Sequence, residues 1–270
     1  MRLTGVAHVH STHSWDGRHP LPELVAFLRE QGLDFVLMSE HDRGLDEDVM
    51  RRLVSECAAL SDDRFLVIPG IEYEATPDYV HILAYNTREL IPSRDAAEIA
   101  RGTRRKGGFA VLAHPHWKDG FRHVTPDMLA LLQGWEVWNG KADGRWAPNP
   151  GNLKRYELNR RKGLRLLPFA GADLHRIESY PDITLQVDCL DRSATTIMGA
   201  FAAGAYRVLG ASLTFSPDAL PDPTSASLVT RLARSLPQIK RRAQRLDKWL
   251  NHRGVHFPAP LYRAARRLFR

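Results

Sequence analysis

The sequence predicts an α/β protein whose parallel sheet closes, or nearly closes, into a barrel. Short apolar runs alternate with helical patterns over residues 1–210, and this alternation is typical of strands joined by crossover helices. Runs such as DFVLM and FAVLA are apolar at every position, as expected for strands buried on both faces. Roughly seven strand–helix units fit into this length, and a barrel is the simplest closed arrangement of that many units.

The predicted strands are the apolar runs of the first 210 residues. In chain order they are Gly5–His8, Phe35–Met38, Phe65–Ile68, Val80–Ala84, Phe109–Ala113, Trp135–Trp138, Leu166–Ala170, Thr184–Val187 and Arg207–Leu209.

Amphipathic stretches between these runs predict the helices. They read LPELVAFLREQG, DEDVMRRLVSECAAL, SRDAAEIARGTRRKGG, NLKRYELNRRKG and SATTIMGAFAAG. Gly32 and Gly204 end the first and the last of them, because glycine readily adopts the left-handed conformation that follows a helix.

Composition indicates a cytoplasmic globular protein. Apolar residues make up 43% of the chain, which is sufficient for a full core. We see neither a secretory signal nor an apolar run long enough to span a membrane. Cys57 and Cys189 are the two cysteines, and their wide separation favours free thiols in a reducing compartment.

The net charge of +7 is concentrated at the C-terminus. Residues 222–270 contain twelve Lys or Arg and two Asp, a net charge of +10, which leaves −3 for residues 1–221. We therefore predict a barrel domain over 1–212, and a linker with a basic amphipathic helical extension over 213–270. Three partners for the extension stay open: the barrel or a second subunit, an anionic membrane surface, and nucleic acid. The oligomeric state is unknown.

Potential metal ligands follow almost every predicted strand up to residue 175. In a parallel barrel the functional residues gather at the carboxyl ends of the strands. The candidates are His8, His10, Asp16, His41, Glu72, His81, His114, Asp173 and His175. Imidazole and carboxylate are ligands of zinc, manganese and iron. The accumulation of these residues at strand ends predicts a metal centre.

The order of the motifs HVH, D, SEHD, GIE, H, AHP and GADLH resembles the PHP family (polymerase and histidinol phosphatase domains), and especially its stand-alone phosphoesterases. The resemblance covers about residues 1–212. It implies a distorted (β/α)7 TIM-like barrel that binds two or three divalent ions, Mn²⁺, Fe²⁺ or Zn²⁺, and hydrolyses phosphate esters.

The resemblance also implies roles for individual residues. His8, His10, Glu72 and Asp173 would bind one ion, and Glu72 would bridge to a second ion held by His81 and His114. Asp16, His41 and His175 would form a third site. Glu72, Asp173 and His175 are the implied catalytic residues. In the opening loop His13 is an alternative to Asp16, and Glu74 lies on the same strand as Glu72.

The expected function is hydrolysis of a small phosphorylated substrate by a hydroxide that bridges two metal ions, with phosphomonoesters slightly favoured. A nuclease, a nucleotide phosphatase or phosphodiesterase, and a non-catalytic PHP scaffold are the alternatives. Arg18, His116, Asn139 and Arg176 are candidates for substrate binding, and the two arginines suit a phosphate.

Overall fold

The computed structural model describes residues 1–75, 80–221 and 228 of the chain. Its strands are β1 (Arg2–Val9), β2 (Phe35–Met38), β3 (Glu40–His41), β4 (Leu66–Ile68), β5 (Gly70–Ala75), β6 (Val80–Tyr85), β7 (Phe109–Ala113), β8 (Gly134–Asn139), β9 (Leu167–Gly171), β10 (Thr184–Asp188), β11 (Tyr206–Leu209) and β12 (Thr214–Phe215). Its α-helices are α1 (Leu21–Glu30), α2 (Glu47–Leu60), α3 (Ala96–Arg105), α4 (Pro126–Leu131), α5 (Gly140–Asp143), α6 (Pro150–Arg161) and α7 (Ala194–Ala202).

The described strands form two six-stranded sheets. The first has the order β12-β11-β10-β1-β2-β4, and the second has the order β3-β5-β6-β7-β8-β9. Ser39 alone separates β2 from β3, and Pro69 alone separates β4 from β5, so the chain passes twice from one sheet directly into the other. The sheets also meet at β1 and β9, where the amide of Ala172 donates to the Ala7 carbonyl at 2.8 Å.

The α/β class is confirmed, whereas the all-parallel sheet is wrong. β5–β6, β6–β7, β1–β10, β10–β11 and β11–β12 are antiparallel pairs. Only residues 76–79 separate β5 from β6, which is too short for the crossover that parallel neighbours need. Within the described residues the strand pairings remain in two sheets and do not form one closed barrel.

The structure contains all five predicted helices, and side-chain caps explain where most of them begin. Asp46 accepts a hydrogen bond from the Val49 amide before α2, and Asp95 accepts one from Glu98 before α3. Ser193 caps α7 in the same way. Such caps satisfy amides that have no partner within the helix. The helices α4 and α5 and the 3-10 helices Trp117–His123 and Ile177–Ser179 were not predicted from the sequence.

Aromatic side chains fill the space between the two sheets. Phe169 of β9 lies 5.2 Å from Phe201 of α7 and 5.7 Å from Phe109 of β7, measured between ring centroids. Trp135 of β8 instead packs against α6, where it donates its indole N–H to Asn152 at 2.8 Å and its ring meets Tyr156 edge to face. This core supports the carboxyl ends of β1, β7 and β9, which carry the polar residues described below.

No helix in the described part of the chain has the length and apolar composition required to span a bilayer. The predicted extension lies outside the described residues from position 222 onward, apart from Leu228.

Candidate metal centre

Glu72 of β5 is the centre of a buried cluster of imidazoles. Its Oε1 lies 2.6 Å from His81 Nδ1 and 2.9 Å from His114 Nε2. Its Oε2 lies 3.3 Å from His8 Nε2 and 3.4 Å from both His10 Nε2 and His41 Nδ1. Five of the predicted ligands, three within strands and two just after a strand end, therefore surround a single carboxylate. Glu74, two residues further along β5, donates its amide to Asp42.

Asp173 follows β9 and faces the same cluster. Its Oδ1 is 3.2 Å from His175 Nδ1, 3.8 Å from His10 Nε2 and 3.9 Å from His8 Nε2. Its Oδ2 accepts a hydrogen bond from the Asn139 amide group at 3.1 Å. Asp173 is therefore a second buried carboxylate beside the imidazoles.

Asp16 lies at the edge of the cluster, next to His41 and His175. Its carboxylate oxygens are 3.3 Å from His41 Nε2 and 2.9 Å from His175 Nε2. His13, the alternative in this loop, instead pairs with Glu56 of α2 at 2.7 Å. The structure thus brings Asp16 to the cluster and turns His13 toward a helix.

Three members of the cluster have a backbone conformation that is unusual for residues with a side chain. The φ angles of His8, His114 and Asp173 are 62°, 22° and 51°. His8 also interrupts the pairing of β1 with β2, where the register shifts between Ala7 and Val9. Such conformations cost free energy and concentrate at functional sites, and a bulge redirects a side chain. The backbone is therefore strained at three of the candidate ligands.

Glu136, in the middle of β8, is a functional residue that the sequence analysis missed. It is fully buried, and its Oε1 accepts a hydrogen bond from His8 Nδ1 at 2.9 Å. Its Oε2 accepts from the His114 amide at 2.7 Å and from Asn139 Nδ2 at 3.0 Å. The available signal was a single carboxylate within the otherwise apolar predicted strand Trp135–Trp138, since such a residue is rarely buried without partners.

Glu40 has a similar role at the opening loop. Its carboxylate accepts from the Ser11 amide at 3.0 Å, from the Ser11 hydroxyl at 2.6 Å, and from the Ser14 hydroxyl. Ser14 in turn accepts from the His41 amide at 3.0 Å. Burial raises the pKa of Glu40, and the hydrogen bonds from Ser11 and Ser14 act against that rise. The carboxylate therefore holds the loop against the strand that carries His41.

Burial and nearby opposite charges shift the pKa values of the cluster residues in opposite directions. Burial would lower the pKa of His8, but Glu136, Asp173 and Glu72 outweigh burial and raise it. Burial would raise the pKa of Glu72, yet the surrounding histidines hold it well below its usual value. The pKa of His10 falls because burial outweighs its attraction to Glu72. The cluster thus favours ionised carboxylates, together with at least one neutral imidazole.

The donor atoms fit divalent metal ions. His10 Nε2 and Asp16 Oδ1 are buried without a hydrogen-bond partner, which is costly unless another group satisfies them. Within each of four groups the candidate ligand atoms lie within 4.8 Å of one another. The groups are His10, Asp16, His41 and His175; His8, His10 and Glu72; His8, His114 and Asp173; and Glu72, His81 and His114. Imidazole nitrogen and carboxylate oxygen are the ligands expected for zinc, manganese or iron.

The four candidates for substrate binding differ in their surroundings. Arg18 and Arg176 are exposed; Arg176 follows His175 in the chain, and the Arg18 amide donates to the His175 carbonyl at 3.1 Å. His116 Nε2 lies 2.8 Å from an oxygen of Asp143. Asn139 is buried, and its side chain bonds Asp173, Glu136 and the first turn of α5.

Lys141 of α5 is a further residue that the sequence analysis missed. Its Nζ lies 3.5 Å from Asp173 Oδ1 and 3.4 Å from both ring nitrogens of His175. More than half of its side chain is exposed. It therefore places a cation at the solvent side of the cluster.

Comparison with known proteins rests on structure, because no family model and no curated protein sequence matches the chain. A two-domain protein from Bacteroides vulgatus that contains a predicted PHP-like metal-dependent phosphoesterase superposes with a TM-score of 0.57 at 20% identity. The match covers 77% of this chain and 65% of that protein, so the chain spans about two thirds of its length.

Two other solved structures have the same fold. PsfC from Pseudomonas syringae has a TM-score of 0.55 at 16% identity, over 87% of this chain and 98% of PsfC. The lesion-specific endonuclease EndoQ from Pyrococcus furiosus has a TM-score of 0.52 at 17% identity, over 79% of this chain and 59% of EndoQ. The fold of the chain is therefore that of the PHP family.

Proposed function

We propose that the protein is a metal-dependent phosphoesterase that acts on small phosphorylated substrates. The observation that carries this proposal is the cluster around Glu72, in which one buried carboxylate lies within 3.4 Å of five imidazoles. Burying so many titratable groups is unfavourable unless a bound cation pairs with them. The likeness to a predicted PHP-like phosphoesterase supports the same reaction class.

Two or three divalent ions, Mn²⁺, Fe²⁺ or Zn²⁺, are the proposed cofactors. We assign His8, His10, Glu72 and Asp173 to one ion, and Glu72, His81 and His114 to a second. Asp16, His41 and His175 are assigned to a third. Bound divalent ions polarise phosphoryl oxygens and make water a nucleophile near neutral pH. Glu72, Asp173 and His175 are therefore the proposed catalytic residues.

Cationic side chains next to the cluster favour a phosphomonoester. Lys141 is close to Asp173 and His175. The Arg18 amide donates to the His175 carbonyl, and Arg176 follows His175 in the chain. A monoester carries more negative charge than a diester at neutral pH, so it gains more from these cations. We propose that Arg18, Arg176 and His116 contact the phosphate, whereas the hydrogen bond from Asn139 orients Asp173.

The test combines elemental analysis with hydrolysis of p-nitrophenyl phosphate and of its bis-ester in the presence of Mn²⁺. We expect two or three metal ions per chain and faster turnover of the monoester. Glu72→Gln should remove metal and turnover, while Glu74→Gln on the same strand should retain both. Asp173→Asn should also abolish hydrolysis and lower the metal content. Equal activity of Glu72→Gln and wild type would refute the proposed centre.

A phosphodiesterase or nuclease is the second candidate, favoured by the shared fold with EndoQ, a lesion-specific endonuclease. Faster hydrolysis of the bis-ester, together with cleavage of a DNA oligonucleotide, would establish it. Bound metal without turnover of any ester would instead support a non-catalytic scaffold.

We also propose a distorted barrel domain over residues 1–212 and a basic extension over 213–270. We place the protein in the cytoplasm because Cys57 and Cys189 are free. The extension is proposed to pack on the barrel or on a second subunit, with an anionic membrane surface and nucleic acid as alternatives. Sedimentation of the full chain with phosphatidylglycerol vesicles and not with phosphatidylcholine vesicles would favour the membrane. Displacement of the protein from the vesicles by DNA would indicate nucleic acid as the partner.

A further inference from the structure

Trp15 is a large aromatic side chain exposed beside the metal cluster. Trp15 is 69% exposed, although an indole ring presents a large apolar surface. Its ring is stacked near His41, with 5.9 Å between centroids and 27° between planes. His41 in turn lies close to both Asp16 and Glu72. An accessible aromatic surface therefore borders the site at which an ester would react.

Several contacts hold the loop that carries Trp15. The Thr12 amide donates to the His19 carbonyl at 3.0 Å, and the Ser14 amide donates to the Ser11 carbonyl at 3.0 Å. Gly17 approaches the Ser11 carbonyl so closely that a Cβ atom would overlap it. A fixed loop of this kind presents an aromatic ring at little entropic cost on binding. Trp15 is thus positioned before any ligand arrives.

Trp117 lies at the other end of the cluster. Its ring meets His114 and His81 edge to face, at centroid distances of 5.6 and 6.0 Å, and its side chain is 40% exposed. His41, near Trp15, and His81, near Trp117, contact different oxygens of Glu72. Exposed tryptophans therefore border the centre on two sides, with Lys141 and the two arginines available for the phosphate.

We propose that Trp15 stacks on a planar ring of the substrate, so that the site prefers phosphate esters of nucleosides to those of sugars alone. Stacking on tryptophan is available to every nucleobase. One ribose separates the base from its 5′-phosphate, and the proposal requires this spacer to join a base on Trp15 to a phosphate at the cluster. This inference rests on the proposed phosphoesterase activity and names the substrate class of that site.

The experiment uses AMP and ribose 5-phosphate, which share the same ester and differ only in the base. With Mn²⁺ and the full chain, we expect kcat/KM for AMP to exceed that for ribose 5-phosphate by about tenfold. Trp15→Ala should reduce this ratio to near one, and Trp15→Phe should retain most of it. The control is Trp146→Ala, because Trp146 is 39% exposed and lies under the Arg145 guanidinium. This variant should keep the ratio.

A binding measurement separates this inference from the phosphoesterase activity. Saturation-transfer NMR with AMP and EDTA-treated protein should show contact with the base protons in wild type and not in Trp15→Ala. Base contact that is lost in Trp15→Ala, without hydrolysis of AMP, ribose 5-phosphate, p-nitrophenyl phosphate or its bis-ester, would refute the phosphoesterase and retain the stacking. Equal kcat/KM for the two esters, no base contact, or a ratio that Trp15→Ala leaves unchanged would overturn the inference.

Discussion

At the scale of single residues, the position of a ligand atom depends on groups that are not themselves candidate ligands. Glu136 accepts the Nδ1 proton of His8, and His8 Nε2 is directed toward Glu72 and Asp173. The same carboxylate accepts from the His114 amide. A buried carboxylate behind an imidazole selects the tautomer and raises the basicity of the ligand. Glu136 is therefore a positioning residue for two of the proposed ligands.

Glu136→Gln should weaken metal binding while the fold is retained. Loss of such an outer partner reduces metal affinity by about 10–100-fold. A chelator competition titration measures the affinity, and circular dichroism checks the fold. Glu56→Gln is the matched control, because Glu56 pairs with His13 outside the four groups of candidate ligands. An affinity unchanged in Glu136→Gln would contradict the role.

At the scale of elements, the close approach of β1, β8 and β9 allows the cluster to form. Gly171 ends β9, and a Cβ atom there would overlap Glu136 Oε1 and approach His8 Cβ at 2.6 Å. Both neighbours are fully buried, so neither can move away freely. Glycine at this position lets the strand ends approach closely enough for His8 to reach Glu136.

Gly171→Ala should destabilise the protein by about 1–3 kcal/mol, the usual cost of overpacking, and should also weaken metal binding. Gly199→Ala in α7 is the control, because no atom lies within 4 Å of the added Cβ. There, alanine should stabilise the helix by about 0.5–1 kcal/mol. Urea unfolding of both variants measures the difference. Equal stabilities would show that β1 and β9 adjust to an extra methyl group.

At the scale of the whole molecule, the folded chain buries carboxylates next to histidines, so the protonation of these histidines contributes to the stability of the metal-free protein. In the metal-free protein the pKa of His8 is raised because three carboxylates outweigh burial, and Glu72 raises the pKa of His81 in the same way. The folded protein then retains protons that the unfolded chain loses above about pH 6.5. The pKa of His10 is lowered, so its titration affects stability only below that pH.

The pH dependence of stability should therefore depend on metal. From pH 7 to pH 9 the Tm of EDTA-treated protein should fall, because the contributions of His8 and His81 are lost as the pH passes through their raised pKa values. With saturating Mn²⁺ the ligands are already deprotonated, so Tm should be flat in this range. It should fall from pH 7 to pH 5, where protons compete for the ligands. Calorimetry measures both series, and parallel curves would contradict the expectation.

Local sequence patterns predicted much of the fold and most of the candidate site. The apolar runs located most of the longer strands, and the amphipathic periodicity located five helices. Most cluster residues were recognised at predicted strand ends, Asp16 in the loop after the first strand and His81 at a strand start. Glu72 was expected after the third predicted strand, whereas it lies within β5, which was not predicted. Glu136, Glu40, Lys141 and Trp15 were not recognised, because their roles depend on contacts with distant parts of the chain. His8 and Glu136, for example, are separated by 128 positions.

The sequence by itself determined the α/β class and the types of ligand, because burial periodicity and side-chain chemistry are properties of neighbouring residues. The tertiary structure decided the antiparallel pairing of β5, β6 and β7 and the division of the strands into two sheets. It also decided that Glu72 and not Glu74 is at the centre, and that Asp16 and not His13 faces His175. Strand direction and side-chain convergence result from packing between segments far apart in the chain, which no local pattern encodes.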